Sequence, residues 1–141
     1  MLRAVPLTVK VQWCALAVAA LLGLDGCYWY RYRELLEIHC QLLSSMSEKL
    51  CGPRAGAPLS GPALAEYEYP LARARDFARV AAKRCPGRRS LLAFGPVLRL
   101  YERMVQEAAR GGMAGCGRRE RLEARIGRVR GRLAREPGHC G

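Results

Sequence analysis

The sequence predicts an all-α domain, a four-helix bundle running up, down, up and down. Apolar residues after Cys27 recur at three- and four-residue steps in four separate segments, the spacing that gathers them on one face of a helix. Gly and Pro clusters separate those segments, and no run alternates β-branched and polar residues as a strand would. Short connections between such helices force neighbours antiparallel. Two other arrangements satisfy the same pattern: a three-helix core with the basic C-terminal helix loose, or a pair of helical hairpins.

The chain opens with Arg3 and Lys10, followed by an uncharged apolar run from Val11 to Leu24 and then Gly26-Cys27. A basic start, an apolar centre and a small residue at the boundary are the three parts of a secretory signal. The run falls short of the roughly 20 apolar residues that a bilayer span requires. Leu24-Asp25-Gly26-Cys27 resembles the bacterial lipobox, although Asp25 stands where that motif usually has a small neutral residue. The resemblance implies cleavage before Cys27 and a diacylglycerol on its sulfur, hence a lipid anchor at the cell envelope. A plain secretory cut nearby gives a secreted or periplasmic protein instead. Either way residues 1–26 are an address, and residues 27–141 are one domain-sized unit.

Helix 1 is expected from about Trp29 to Leu50, with Tyr32, Leu35, Leu36, His39, Leu42, Leu43, Met46 and Leu50 on its inner face. Cys51-Gly52-Pro53 stops it, and residues 52–62 form the one linker-like loop. Helix 2 carries the most regular seam, Leu64, Tyr67, Leu71, Ala74, Ala78, Ala81 and Cys85. Pro70 either kinks this helix or starts it, because proline removes a backbone donor and crowds the preceding turn. Helix 3 is expected from Ser90, read as its N-cap, to Gly111-Gly112, with Gly95-Pro96 delaying its start. Phe94, Val97, Leu98, Tyr101, Met104, Val105 and Ala108 point inward. Helix 4, about Arg119 to Arg135, shows the stripe Leu122, Ile126, Val129 and Leu133 before Pro137-Gly138 ends it.

The formal net charge of +12, with 24 basic residues against 12 acidic, favours anionic partners such as acidic lipid, lipopolysaccharide or nucleic acid. Residues 118–135 concentrate it: Arg118, Arg119, Arg121, Arg125, Arg128, Arg130, Arg132 and Arg135 accompany only two glutamates. Guanidinium forks grip phosphate through paired hydrogen bonds, so this helix is the candidate polyanion-binding element. The same stripe also explains it as a bundle helix with a solvated outer face. Tyr28, Trp29, Tyr30 and Tyr32, beside Arg31 and Arg33, suit either a membrane interface or packing at the bundle's end.

Seven cysteines in an exported chain read as a disulfide framework. The antiparallel order brings Cys51 toward Cys116 at one end and Cys85 toward Cys140 at the other, leaving Cys40 alone in mid-helix. Without acylation of Cys27 six cysteines remain and fifteen connectivities open. His39-Cys40 and His139-Cys140 lack zinc-ligand spacing, so no metal or cofactor is assigned. No Gly-X-Ser-X-Gly, phosphate-binding glycine loop or His-Glu-X-X-His is present, and no catalytic residue is assigned. The leading expectation is a non-catalytic, lipid-anchored or exported helical envelope protein. The alternative is a polyanion-binding module using helix 4. A cytosolic nucleic-acid-binding protein is third, and it requires Val11–Leu24 to be a buried helix.

Cleavage and acylation predict that the mature protein begins at Cys27 and carries at least two acyl chains, the number that anchors firmly. Cys27→Ala should release the protein from the membrane fraction or block its processing. Mass analysis of the mature terminus checks this, and an intact Met1 contradicts it.

Overall fold

The computed structural model describes residues 26–52, 58–111 and 114–136, all in helices or their connections. Residues 1–25 of the signal-like segment 1–26, most of the linker loop, His139 and Cys140 lie outside the described residues. Four helices pack together: α1 (Gly26–Leu50), α2 (Gly61–Arg84), α3 (Arg89–Ala109) and α4 (Arg119–Arg135), with a helical turn at Ala114–Gly117 before the last. Among the described residues there is no strand, and no helix is long and apolar enough to cross a membrane.

Cross-helix contacts set the directions. Along α1 and α4, Arg33 Nη2 donates to the Leu133 carbonyl at 3.0 Å, Arg130 meets Glu37 at 2.8 Å, and the Ser44 hydroxyl donates to Glu123 at 2.6 Å. Rising numbers on one helix meet falling numbers on the other, so the pair is antiparallel. The Leu59 amide donates to the Ala108 carbonyl at 3.0 Å, and the Tyr101 hydroxyl to the Tyr67 carbonyl at 2.8 Å, which orients α2 against α3. Arg88 lies 4.9 Å over the Trp29 ring, placing the start of α1 beside the α2–α3 turn. The bundle therefore runs up, down, up and down. Helix α4 is no loose appendage, because Leu122, Ile126, Val129 and Leu133 are all buried in the common core.

The seams expected for α2, α3 and α4 face the core, most of their residues buried and Leu64, Ala78 and Ala108 partly so. Helix α1 differs. Leu36, Cys40, Leu43 and Ser47 are fully buried, whereas Leu35 and Leu42 are each 40% exposed. Its apolar arc is wider than the face its neighbours cover, and the leading edge lies one position further along than the spacing suggested. Trp29 is fully buried and Tyr32 packs on Phe77, so these two rings close the bundle's end, with Tyr30 left outside.

Two local expectations are corrected. Pro70 does not start α2: the helix runs through it, with Pro70 buried inside, and starts at Gly61, whose φ of +57° suits a residue without Cβ. Proline deprives the Glu66 carbonyl of its usual amide donor, and on the next residue the Tyr67 carbonyl takes the Tyr101 hydroxyl. Ser90 is not the N-cap of α3. Arg88 holds that position, the helix continues through Gly95-Pro96, and Ser90 is buried in the first turn. Its amide and hydroxyl both donate to the Glu136 carboxylate, at 2.9 and 2.6 Å. The residue that ends α4 thus satisfies one of the amides that a helix start leaves unpaired.

Candidate polyanion trough

Helices α3 and α4 lie side by side with their apolar stripes turned inward, which leaves one flank of each along a shared outer groove. Two adjoining cavities of about 590 and 430 Å³ open there, and they share Pro96, Arg125 and Arg128. Arg121, Arg125, Arg128 and Arg132 of α4 form one wall. Arg89, Arg99 and Arg103 of α3 form the other. The rest of the lining is apolar: Leu92, Ala93, Pro96 and Leu100 of α3 and Ala124 of α4. No acidic side chain and no aromatic ring lines either cavity.

Of the acids on α3 and α4, Glu120 is exposed and lines neither cavity, and the other three turn elsewhere. Glu102 on α3 turns to Arg75 of α2, and Glu107 meets Arg118 at 2.8 Å. Glu123 and Glu48 lie 3.8 and 4.0 Å from Arg119, on the α1 side. The seven arginines of the trough make no ion pair within 4 Å with an acidic side chain among the described residues. Guanidinium groups stay charged at any physiological pH, so the trough holds uncompensated positive charge that an anion would neutralise.

The eight arginines expected to act together are thus divided. Arg121, Arg125, Arg128 and Arg132 line the trough, and Arg135 borders an adjoining hollow of about 430 Å³ over Ala124, Gly127 and Gly131. Arg118, Arg119 and Arg130 face α3 or α1 and reach across to Glu107, Glu48 and Glu37, with Arg119 also pairing with Glu123 of its own helix. The α3 wall was missed. Arg99 and Arg103 stand four apart beside the apolar stripe, a spacing visible in the sequence, but only the antiparallel docking of α4 gives it a partner row.

The cysteines sort by burial. Cys51 and Cys116 meet where α1 ends and the turn before α4 begins, close enough for a side-chain hydrogen bond. Burial, then the Cys116 partner, push the Cys51 thiol up to about 12, against the opposing pull of Arg119. Cys40 is fully buried, and burial together with Glu37 pushes its thiol up to about 12. Cys85 is buried at the end of α2, and its expected partner Cys140 lies outside the described residues. His39 stacks on Phe77 at 4.7 Å while Cys40 enters the core, so the two point apart. Burial and Arg73 lower the His39 pKa, which keeps its imidazole neutral at pH 7. Among the described residues no three His, Cys, Asp or Glu side chains come together as metal ligands.

Comparison of the chain with protein-family models, curated proteins and solved structures finds no match.

The thiol geometry predicts that mild oxidation with diamide joins Cys51 to Cys116 and leaves Cys40 reduced. Peptide mapping without reductant reads this directly. A Cys40-containing bridge would contradict both the pairing and the burial that protects Cys40.

Proposed function

We propose that this protein is a non-catalytic binding module that holds a polyanion in the trough between α3 and α4. The observation that carries the reading is the sorting of charge: seven arginines from two helices converge on one continuous groove, no carboxylate lines it, and Glu102, Glu107 and Glu123 are engaged on other flanks. A merely solvated helix face would intersperse acids with bases along the helix, as the opposite side of α4 does with Arg119 and Glu123. Seven like charges in one groove repel each other, and the bundle accepts that repulsion where salt or a ligand screens it.

The address stands on separate support. The lipobox-like boundary at Leu24-Asp25-Gly26-Cys27 supports export and a lipid anchor at Cys27, in the first turn of the first bundle helix. An envelope location would set the trough facing anions outside the cytoplasm. The binding reading does not depend on it.

Linear inorganic polyphosphate is a suitable probe because it offers charge without bases or acyl chains. The protein should bind it at 50 mM salt and lose most of that affinity by 200 mM, as counterion release requires. Replacing Arg121, Arg125, Arg128 and Arg132 by Gln should weaken binding at least tenfold. The melting temperature should barely fall, since surface substitutions usually change stability by less than about 0.5 kcal/mol each. Equal binding by the folded variant, or no binding by the parent at 50 mM salt, contradicts the reading.

A further inference from the structure

Building on that reading, we infer that the trough's ligand is a nucleic-acid strand, held by its phosphodiester backbone without regard to base sequence. Arg121, Arg125, Arg128 and Arg132 follow one another by four, three and four residues, which at 1.5 Å per residue spreads them over about 16 Å of α4. Phosphates of one strand advance by about 3.4 Å per nucleotide along a duplex, so this wall spans roughly five of them. Arg99 and Arg103 reach the same groove from the opposite side. Charges at close, regular intervals between two walls suit a long unbranched polyanion, whereas a single phosphate would engage only part of the row.

The lining also argues against the other ligand classes. A bilayer is flat, and headgroups on it would meet the rim of a concave groove rather than both walls. Insertion needs exposed apolar side chains, and Leu92, 73% exposed, is the lone large one at this groove. The other exposed aliphatic residues, Leu35, Ile38 and Leu42 on α1 and Val80 on α2, line neither cavity. No aromatic ring lines the trough either, so bases find no stacking platform and cannot be told apart there. What remains is the backbone phosphate.

Gly127 and Gly131 fit the same ligand. Each weakens a helix by about 1 kcal/mol relative to Ala, yet a Cβ at either would meet nothing within 4 Å, so packing does not require them. They lower the surface of α4 between Arg128, Arg132 and Arg135, where a sugar-phosphate chain can approach the helix backbone.

The test uses fluorescein-labelled 20-nucleotide oligo(dT), oligo(dA) and a mixed-sequence duplex, with phosphatidylglycerol vesicles and linear polyphosphate in parallel. Binding to the oligonucleotides should fall with salt at a slope of log K against log [salt] near −4, from about five neutralised phosphates. Oligo(dT) and oligo(dA) should agree within about threefold. Whether the single strands or the duplex bind more tightly, either result supports the shared backbone chemistry. The variant R99Q/R103Q should bind at least tenfold more weakly with a slope shallower by about two, whereas K49Q/K83Q, which removes two exposed charges outside the trough, should match the parent. R89Q/R132Q, at the other end of the trough, serves the same purpose should R99Q/R103Q fail to fold. An unchanged slope in the folded trough variant, a tenfold preference between the homopolymers, or vesicle binding in preference to oligonucleotide overturns the inference. Binding of polyphosphate with none of nucleic acid overturns this inference and leaves the polyanion reading standing. Binding of neither overturns both.

Discussion

The seam between α3 and α4 is the constraint on which the rest depends. Leu122, Ile126, Val129 and Leu133 join Phe94, Val97, Tyr101 and Met104 in one core, and that burial fixes which flanks of the two helices lie side by side. Each of these side chains contributes about 1.5–3 kcal/mol on burial. Repulsion between two exposed guanidinium groups a few ångströms apart in water is about 1 kcal/mol and shrinks with salt. The apolar seam therefore wins, and the arginine rows are held together against their own charge. Polar contacts at its two ends keep the register: Glu136 on Ser90, and Arg118 on Glu107.

The same sequence of α4 thus performs two tasks on different faces. One flank carries Arg130 and Arg119, which meet acids of α1 and stitch the bundle; the other carries Arg121, Arg125, Arg128 and Arg132, which meet none. Exposed ion pairs of this kind each add about 1 kcal/mol at most, so their absence along the trough costs the fold little. What it changes is the local potential. An apolar lining between two charged walls concentrates the field where an incoming anion would lie.

Most of the bundle was legible in the sequence because amphipathic spacing is a property of single helices. The buried faces of α2, α3 and α4 follow from their own periodicity, and the Cys51–Cys116 juxtaposition follows from antiparallel order alone. What was not legible depends on neighbours. The rotation of α1 that leaves Leu35 and Leu42 half outside is set by how much of its arc three partners cover. Ser90 looks like an N-cap in isolation, and only the arrival of Glu136 from 46 residues away shows why it is buried. The division of the eight α4 arginines, and the part played by Arg89, Arg99 and Arg103, required knowing which carboxylates stand across each interface. Charge count identified the helix, and packing identified the site.

The most direct measurement of the central claim is an NMR titration of the arginine Nε–H signals with tripolyphosphate at low salt. If one groove shared by α3 and α4 holds the anion, signals of Arg99 and Arg103 should shift together with those of Arg125 and Arg128 along a single binding curve. Those of Arg118 and Arg130, engaged by Glu107 and Glu37, should stay in place. Shifts spread evenly over all eight arginines of α4, with Arg99 and Arg103 unmoved, would contradict the account.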